Sequence, residues 1–441
     1  MTSRERVMAA LDHREPDRVP IDFGGLLASI NVYTYDALLQ EVGISAGGDE
    51  VLSREWSNVP KPSEELLLRW GVDFRRVWLG GPERFSPMVD VAQGTLKDEW
   101  GLTWKRIGRY NEFVNPPLAG AGIPELMGYT LPDPTDPGRY RGVREWAERL
   151  FRETEYAVVA GHSMFGVFEL GCWLCGFDDF MTRLALDKRF VRVFFDRVLE
   201  VQKEIVGRYL DLVGPYVQIV ETADDLGQEN GLMISPETYR ELIKPYHKAY
   251  LRFIKDKVPH ARIFMHSCGS VYDLIPDLMD NGVDILNPVQ PGARNMEPWR
   301  LKRDFGDRLC FHGGIDVVKV LPKLPPAGVR THVGDVIRSF AAGGGYILAA
   351  SHNIQDDTSP ANVAAMYEAA LDFGTYPLAS AGSRGFPGPD RFQACQLTQV
   401  REDGREIRSA VQTCVLVRPT LQEAIHVRVN RDNGDAAFGK A

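Results

Sequence analysis

His266 and Cys268 stand two positions apart in the stretch RIFMHSCG, where an apolar run gives way to a glycine. In an extended strand, residues i and i+2 point to the same face and lie about 6.6 to 7 Å apart along the backbone. Both side chains could therefore reach one tetrahedral ion. Imidazole nitrogen and thiolate sulfur are ligands that zinc favours, and a catalytic zinc keeps three protein ligands and one open position. The pair predicts part of a zinc site that needs a ligand from elsewhere.

The best-placed soft candidate for that ligand is His352, at the end of a later apolar run in AASHNIQ. Glu221 and Asp225 are harder alternatives. A simpler interpretation competes with the metal site, because strand-end histidines often bond to a backbone carbonyl and buried cysteines often pack as small hydrophobes. The position of the pair at a strand end, beside Gly269, favours the metal site.

Eight apolar runs rich in β-branched or aromatic residues recur along the chain, separated by amphipathic sequence long enough for helices. They lie near residues 18, 72, 156, 216, 261, 283, 308 and 345. Continuous rather than alternating apolarity indicates strands that are covered on both faces, as in a parallel sheet wrapped by helices. The predicted fold class is therefore α/β, a (β/α)₈ TIM-type barrel.

The barrel is predicted to span residues 1–378, with an insertion at about residues 82–155 between strands 2 and 3. Within the insertion, VDVAQGTLKDEWGLTWKRI has strand-turn-strand character around Gly94 and Gly101, which predicts a β-hairpin over the barrel mouth. After Pro377 the chain becomes rich in Gly, Pro and Ser, as linkers are. Residues 379–441 are therefore predicted to be a linker and a C-terminal extension of unknown role.

Polar residues follow the predicted strands at their carboxyl ends, where barrels of this type carry their active sites. We predict Asp224 and Asp225 as catalytic residues that bind metal, orient a substrate hydroxyl or transfer protons, although acidic pairs also cap helices. The predicted substrate-binding residues on the same face are Gln228, Glu221, Asn287, Gln290, His312 and Asn353.

The composition restricts the classes of partner. The 441 residues include 51 Lys and Arg against 60 Asp and Glu, a net charge of -9. Nucleic acids and anionic lipids need a basic face, so neither is expected as a partner. No apolar run approaches the roughly 20 residues that cross a bilayer, and six cysteines are few for a disulfide framework. The prediction is a cytoplasmic protein with free thiols and no membrane association.

Five segments of the chain resemble the uroporphyrinogen decarboxylase superfamily. They are EPDRVPIDFGG, ETADDLGQENGLMISPETYRELIKPYHKAY, MHSCGSVYDLIPDLMDNGVDILNPVQ, CFHGGID and GGGYILAASHNIQDDTSPANV. The resemblance covers roughly residues 3 to 378 and implies the distorted (β/α)₈ barrel of that superfamily. It also implies one of two chemistries: metal-free decarboxylation of an acetate-bearing tetrapyrrole, or zinc-dependent methyl transfer between a small substrate and a corrinoid on another protein.

The motifs favour the methyltransferase branch. Decarboxylases carry an arginine-rich element after the first strand and an aspartate at the end of the second, where this sequence reads DFGGLLASI and VWLGG. Corrinoid methyltransferases carry H-x-C-G at the fifth strand, which His266-Ser267-Cys268-Gly269 matches. Their second cysteine, at the end of the eighth strand, is replaced by His352, which can also ligate zinc. The resemblance thus implies a zinc site of His266, Cys268 and His352.

The predicted function is that of a zinc-dependent methyltransferase that moves a methyl group between a small substrate, of the methoxy, methylamine or thiol type, and a corrinoid (cobalamin) cofactor. The resemblance implies that a partner corrinoid protein supplies this cofactor, and a homodimer is left open. Two alternatives remain. One is a uroporphyrinogen-type decarboxylase, a carboxy-lyase. The other, motivated by the substitution at His352, is a non-catalytic barrel that binds a corrinoid or tetrapyrrole.

Overall fold

A computed structural model describes residues 1–45, 58–90, 92–108, 110–161 and 165–378, together with the backbone of the strand Val51–Ser53. The predicted linker and extension, residues 379–441, lie outside the described residues. Among the helices of these ranges, not one combines the length and the apolar character that a membrane span requires.

Helices and strands alternate along most of the described chain. The α-helices are α1 (Ser3–Leu11), α2 (Val32–Glu41), α3 (Glu64–Arg69), α4 (Ile123–Gly128), α5 (Val143–Glu153), α6 (Val167–Cys175), α7 (Phe177–Leu186), α8 (Lys188–Val213), α9 (Pro236–Thr238), α10 (Lys244–Lys257), α11 (Ile275–Asp280), α12 (Pro298–Phe305), α13 (Pro326–Phe340) and α14 (Pro360–Phe373). The strands are β1 (Val51–Ser53), β2 (Val59–Pro60), β3 (Phe74–Val77), β4 (Met88–Asp90), β5 (Thr95–Lys97), β6 (Thr103–Ile107), β7 (Tyr110–Val114), β8 (Ala157–Ala160), β9 (Ile219–Ala223), β10 (Gly227–Gln228), β11 (Gly231–Leu232), β12 (Arg262–His266), β13 (Ile285–Val289), β14 (Cys310–Ile315) and β15 (Tyr346–Ala350).

Seven strands form one curled parallel sheet in the order β15-β14-β13-β12-β9-β8-β3. Each of them falls within one of the last seven predicted apolar runs. Every residue of β9, β13 and β15 is buried, because helices cover one side of the sheet and the interior fills the other. The α/β class predicted from the continuous apolar runs is thus confirmed.

The segment around Ile21 lies where the first strand was predicted, between the two edge strands of the sheet. The peptide N–H of Asp22 donates to Leu348 O in β15, and Leu348 N–H donates to Pro20 O. On the other side, the N–H of Asp73, just before β3, donates to Ile21 O. These bonds join both edges through one short segment, an arrangement consistent with a TIM-type barrel.

The segment between β3 and β8 contains an antiparallel sheet of four strands, β4-β5-β6-β7, where one hairpin was predicted. The additional turn lies at Gly108, which has a positive φ of 62° and joins β6 to β7. Tyr110 in β7 donates its hydroxyl to Asp356 Oδ1 at 2.7 Å, in the loop after β15. The small sheet therefore contacts the side of the barrel at which the parallel strands end.

Inward-facing side chains form an apolar layer and, above it, a polar layer. The apolar layer comprises Phe74, Val159, Ile219, Phe264, Ile285, Cys310 and Ile347, and Val7 and Leu11 of α1 cover it from below. Residues two positions further along a strand face the same side. On five of these strands they are Arg76, Glu221, His266, Asn287 and His312. This polar layer leads toward the carboxyl ends of the strands, where barrel enzymes build their sites.

Candidate metal centre and active site

His266, Cys268 and His352 come together at the carboxyl ends of β12 and β15. One ligand atom from each lies within 4.8 Å of the other two. Cys268 Sγ is 3.3 Å from His266 Nε2, and the ring centroids of His266 and His352 are 5.8 Å apart. His266 and Cys268 are buried, whereas His352 is partly exposed. We call these three residues the donor triad.

The donor triad offers two imidazole nitrogens and one thiol sulfur, a set that suits a tetrahedral divalent ion with one open position. Metal ligation requires a neutral imidazole. Burial, followed by the neighbouring His266, lowers the pKa of His352 to about 4. His352 therefore keeps its lone pair available at neutral pH.

Two of the predicted site residues hold the backbone on either side of Cys268. Asp225 Oδ1, after β9, accepts from the N–H of Cys268 at 2.7 Å and lies 3.6 Å from His266 Nε2. Gln290 Oε1, after β13, accepts from the N–H of Gly269 at 3.1 Å. Asp225 is thus the carboxylate in contact with the donor triad, and Gln290 supports the turn that follows it.

Asp224 makes its contacts at the start of helix α6. Its carboxylate accepts from the N–H groups of Phe168 at 3.0 Å and Glu169 at 2.9 Å. One of its oxygens is also 2.8 Å from His247 Nε2. The side chain is entirely buried. Asp224 therefore caps the start of helix α6, which is the alternative role that the sequence left open for the acidic pair.

A chain of side-chain hydrogen bonds runs from His266 into the polar layer. His266 Nδ1 is bonded to Asn287 Oδ1. Asn287 Nδ2 is 2.8 Å from His312 Nδ1, and His312 Nε2 is 2.9 Å from Asp22 Oδ2. Two residues predicted to bind substrate, Asn287 and His312, thus lie directly behind a metal-ligand candidate.

Arg76 lies at the end of this series of hydrogen bonds, between the buried carboxylates of Asp22 and Glu221. It donates to both oxygens of Asp22, at 3.0 and 2.6 Å, and to Glu221 at 2.8 Å. Although burial opposes ionisation, the Arg76 guanidinium and His312 hold the pKa of Asp22 well below its ordinary value. Glu221, predicted to bind substrate, is therefore an ion-pair partner of Arg76.

The role of Arg76 was missed from the sequence. FRRV places two arginines side by side in one strand, and only strand parity shows which of them faces the interior. Arg75 faces the other side and bonds to Glu64 at 3.0 and 2.6 Å. The alternation of side chains along β3 could have identified Arg76, because this residue lies two positions after the inward-facing Phe74.

The last two predicted substrate-binding residues lie at the rim. Asn353 accepts from the N–H of Ser29 and donates to Leu26 O, both at 2.8 Å, so it holds the loop after the first-strand segment. Gln228 lies on β10 with its side chain exposed, and its carbonyl accepts from the N–H of Ser270 at 2.9 Å. Gln228 is therefore open to a ligand at the mouth.

Glu169 is a buried acid to which the sequence assigned no role. Its side chain lies in the first turn of α6 and is 7% exposed. Its Oε2 atom is buried without a hydrogen-bond partner in the described part of the chain. Burial, and then the charges of Asp225 and Asp224, raise the pKa of Glu169 well above its ordinary value. A neutral carboxylic acid is therefore favoured beside the two aspartates.

Comparisons with known proteins match this architecture. A family model described as Uroporphyrinogen decarboxylase (URO-D) matches residues 110–373, more than half of the chain. The uroporphyrinogen decarboxylase of Chlorobium phaeobacteroides is 25% identical over 140 residues, 31% of this chain and 37% of that protein. The methylated-thiol–coenzyme M methyltransferase of Methanosarcina mazei is 22% identical over 259 residues, 58% of this chain and 65% of that protein. The matched regions thus cover less than two thirds of either relative.

A solved structure described as a methyltransferase from Methanosarcina mazei shares the fold. It superimposes with a TM-score of 0.56 at 17% sequence identity, covering 85% of this chain and 99% of that one. At this identity the similarity concerns the fold alone.

Proposed function

Because the chain belongs to the uroporphyrinogen decarboxylase family, with a methyltransferase among its relatives, we propose that it is a zinc-dependent methyltransferase. The methyl group passes between the heteroatom of a small substrate and a corrinoid that a partner protein carries. In the demethylating direction, the bond from the methyl carbon to the substrate heteroatom breaks. The heteroatom would keep the bonding electron pair, and the methyl group would pass to the reduced corrinoid, which would supply the electron pair of the new bond.

The observation that carries this proposal is the donor triad. His266, Cys268 and His352 offer nitrogen and sulfur ligands within 4.8 Å of one another, at the end of the barrel where active sites lie. A zinc ion held by them would supply Lewis acidity toward the substrate heteroatom. The chain's own residues hold the ligands in place: Asp225 bonds the peptide N–H of Cys268, and Asn287 bonds the ring of His266.

Acidic residues near the triad suit proton transfer to the demethylated substrate. Asp225 Oδ1 lies 3.6 Å from His266 Nε2, so a substrate bound at the triad would lie close to this carboxylate. We assign Asp225 to substrate orientation or proton transfer, and Asp224 to holding the start of α6 beside it. Gln228, exposed at the rim, is assigned to the outer part of the substrate.

The name of the related methyltransferase supports one of the three proposed substrate classes. Its name specifies a methylated thiol as donor and coenzyme M, a thiol, as acceptor. Thiolate sulfur is also a ligand that zinc favours. Among methoxy, methylamine and thiol substrates, we therefore place methylated thiols first.

The proposal is tested with the zinc-loaded full chain, cob(I)alamin and a panel of methylated thiols, methoxy compounds and methylamines, by following methylcobalamin absorbance. We expect turnover of at least one donor. Removing a ligand in His266→Ala or Cys268→Ala should lower the rate by at least about 100-fold. The matched control is Cys310→Ala, a buried thiol at the amino end of β14. Pigment binding without turnover of any donor would favour the non-catalytic alternative.

Decarboxylation is the second candidate, because the related Chlorobium protein is a uroporphyrinogen decarboxylase. The residues that follow the first-strand segment, Phe23 to Leu27, include no arginine. Arg76, near the end of the second strand, is already paired with Asp22 and Glu221, so it is not free to bind a substrate carboxylate. Incubation with uroporphyrinogen distinguishes the candidates: release of carbon dioxide would overturn our ranking.

A further inference from the structure

For Asp22, His312 and Asn287, the hydrogen bonds determine which atoms donate and which accept. An ionised carboxylate only accepts hydrogen bonds, so Asp22 Oδ2, 2.9 Å from His312 Nε2, requires the proton of that ring on Nε2. Arg76 donates to both oxygens of Asp22 and favours the ionised form. An amide nitrogen only donates, so His312 Nδ1, which faces the amide nitrogen of Asn287, is an acceptor. Its donor is Asn287 Nδ2 at 2.8 Å.

The bond to His312 fixes the orientation of the Asn287 amide, and this orientation determines which amide atom faces the donor triad. With Nδ2 on His312, its Oδ1 faces His266 Nδ1. An amide oxygen only accepts, so His266 carries its proton on Nδ1. The lone pair is left on Nε2, the atom that lies 3.3 Å from Cys268 Sγ. Outer hydrogen bonds of this kind commonly fix the orientation and tautomer of metal-ligating histidines.

We propose that Asn287 and His312, directed by the Asp22–Arg76 ion pair, are positioning residues that set the metal affinity of the donor triad. They do so by holding His266 in the tautomer whose Nε2 faces the metal. The inference rests on the proposed metal centre and deepens it. Asn287, His312 and Asp22 are each at most 1% exposed, so water is poorly placed to replace a lost partner.

Two substitutions of Asn287 separate positioning from packing. Asn287→Leu removes the acceptor for His266 Nδ1, and the dissociation constant for Co²⁺ should rise about 10- to 100-fold. Asn287→Asp keeps that acceptor, and His312 can take up a proton to bond the new carboxylate, so affinity should stay within a few-fold of wild type. A packing role predicts the reverse order, because a buried carboxylate disturbs the fold more than a leucine does.

A third variant acts one residue further from the metal. His312→Phe retains a ring of similar shape beside Phe264, 5.0 Å away between centroids, but removes the acceptor for Asn287 Nδ2. The amide is then free to turn its Nδ2 toward His266, and the Co²⁺ dissociation constant should rise about tenfold. The matched control is His247→Phe, another buried imidazole bonded to an aspartate, Asp224. This control should leave the constant within about twofold of wild type.

Affinity is measured on the full chain by Co²⁺ titration against a competing chelator, with circular dichroism to verify folding. The thiolate-to-cobalt absorption should persist in every Asn287 and His312 variant at saturating Co²⁺, because Cys268 remains. Unchanged affinity in Asn287→Leu and His312→Phe would overturn the positioning role, as would an equal loss in His247→Phe. A wild-type chain that binds no Co²⁺, or whose binding survives Cys268→Ala, would instead contradict the metal centre itself.

Discussion

Asp224 and Asp225 are neighbours in the sequence, yet their side chains serve different parts of the molecule. Consecutive residues at a strand end face opposite sides. Asp225 therefore reaches the peptide of Cys268, whereas Asp224 reaches the N–H groups that begin α6. The sequence could identify the pair as important but not divide its roles, because the partners of Asp224 lie 55 and 56 residues away.

Replacing Asp224 should cost stability. Asp224→Ala leaves two peptide N–H groups of α6 and His247 without their acceptor, so the free energy of unfolding should fall by roughly 3 kcal/mol. Denaturant unfolding followed by far-ultraviolet circular dichroism measures the change. The control is Asp256→Ala, whose side chain is 72% exposed. A loss no larger than in this control would contradict the capping role.

Glu169 should make stability depend on pH. Its pKa is raised in the folded chain, so the folded state retains a proton that the unfolded state releases above about pH 4.5. The contribution of Glu169 is therefore fully present at low pH and is lost as the pH rises.

Glu169→Gln cannot ionise, so its stability relative to wild type should increase between pH 5 and pH 8, by at most about 1.4 kcal/mol per pH unit. Unfolding midpoints across this range test the expectation. Glu200→Gln, at an exposed position of α8, should give a curve parallel to that of the wild type. Parallel curves for Glu169→Gln as well would show that the buried acid is not held neutral.

Among the elements, the turns after β9 and β12 fit together through two glycines. A Cβ at Gly227 would lie 2.7 Å from Cys268 O, and a Cβ at Gly269 would lie 2.6 Å from Gln228 N. Gly269 also has a φ of 76°, a backbone angle that residues other than glycine rarely adopt. The position of Cys268 therefore depends on close backbone contact between two loops.

Gly269→Ala should both destabilise the chain and weaken metal binding, because the turn must shift and Cys268 moves with it. Gly282→Ala is the matched control: Gly282 also has a positive φ, 99°, but within the described residues no atom comes within 4 Å of the place its Cβ would take. Because alanine is unfavourable at a positive φ, Gly282→Ala should lower the free energy of unfolding by roughly 1 to 2 kcal/mol. It should leave Co²⁺ affinity unchanged. Equal effects of the two substitutions on Co²⁺ affinity would contradict the claim that close contact between the turns after β9 and β12 positions Cys268.

The elements that could be predicted from the sequence are those whose residues are buried on both faces. β9, β12, β13, β14 and β15 form continuous apolar runs, and the donor triad was predictable because its members follow two of these runs. Within the described residues, the first-strand segment joins the parallel sheet through one isolated bridge, from Ile21 to Leu348, since Pro20 has no N–H to donate to a ladder. Four members of the polar layer, Glu221, His266, Asn287 and His312, were predicted as site residues, but the hydrogen bonds that join them were not, because such bonds connect residues up to 290 positions apart.

At the scale of the whole molecule, the site depends on bringing distant parts of the chain together. The donor triad, the residues that hold Cys268 and the polar layer extend from Arg76 to His352 along the chain. The first-strand segment bonds to both β15 and the chain before β3, which places Asp22 beside His312. Residues from opposite ends of the described chain thus support one centre.

A chain that ends after Leu378 should therefore fold and bind Co²⁺ with wild-type affinity. All contacts that we assign to the metal centre lie within residues 1–378. The comparison needs Co²⁺ titration and thermal unfolding of both chain lengths. A truncated chain that folds but binds Co²⁺ at least about tenfold more weakly would show that residues 379–441 contribute to the site, and the predicted domain division would be wrong.

The central claim is that His266, Cys268 and His352 hold one zinc ion, and zinc X-ray absorption spectroscopy of the full chain tests it most directly. We predict about one zinc per chain, with one sulfur at about 2.3 Å and two nitrogens at about 2.0 to 2.1 Å. Cys268→Ala should abolish the sulfur contribution, and His352→Ala should remove one nitrogen. Zinc far below one per chain, or a first shell without sulfur in the wild type, would contradict the account.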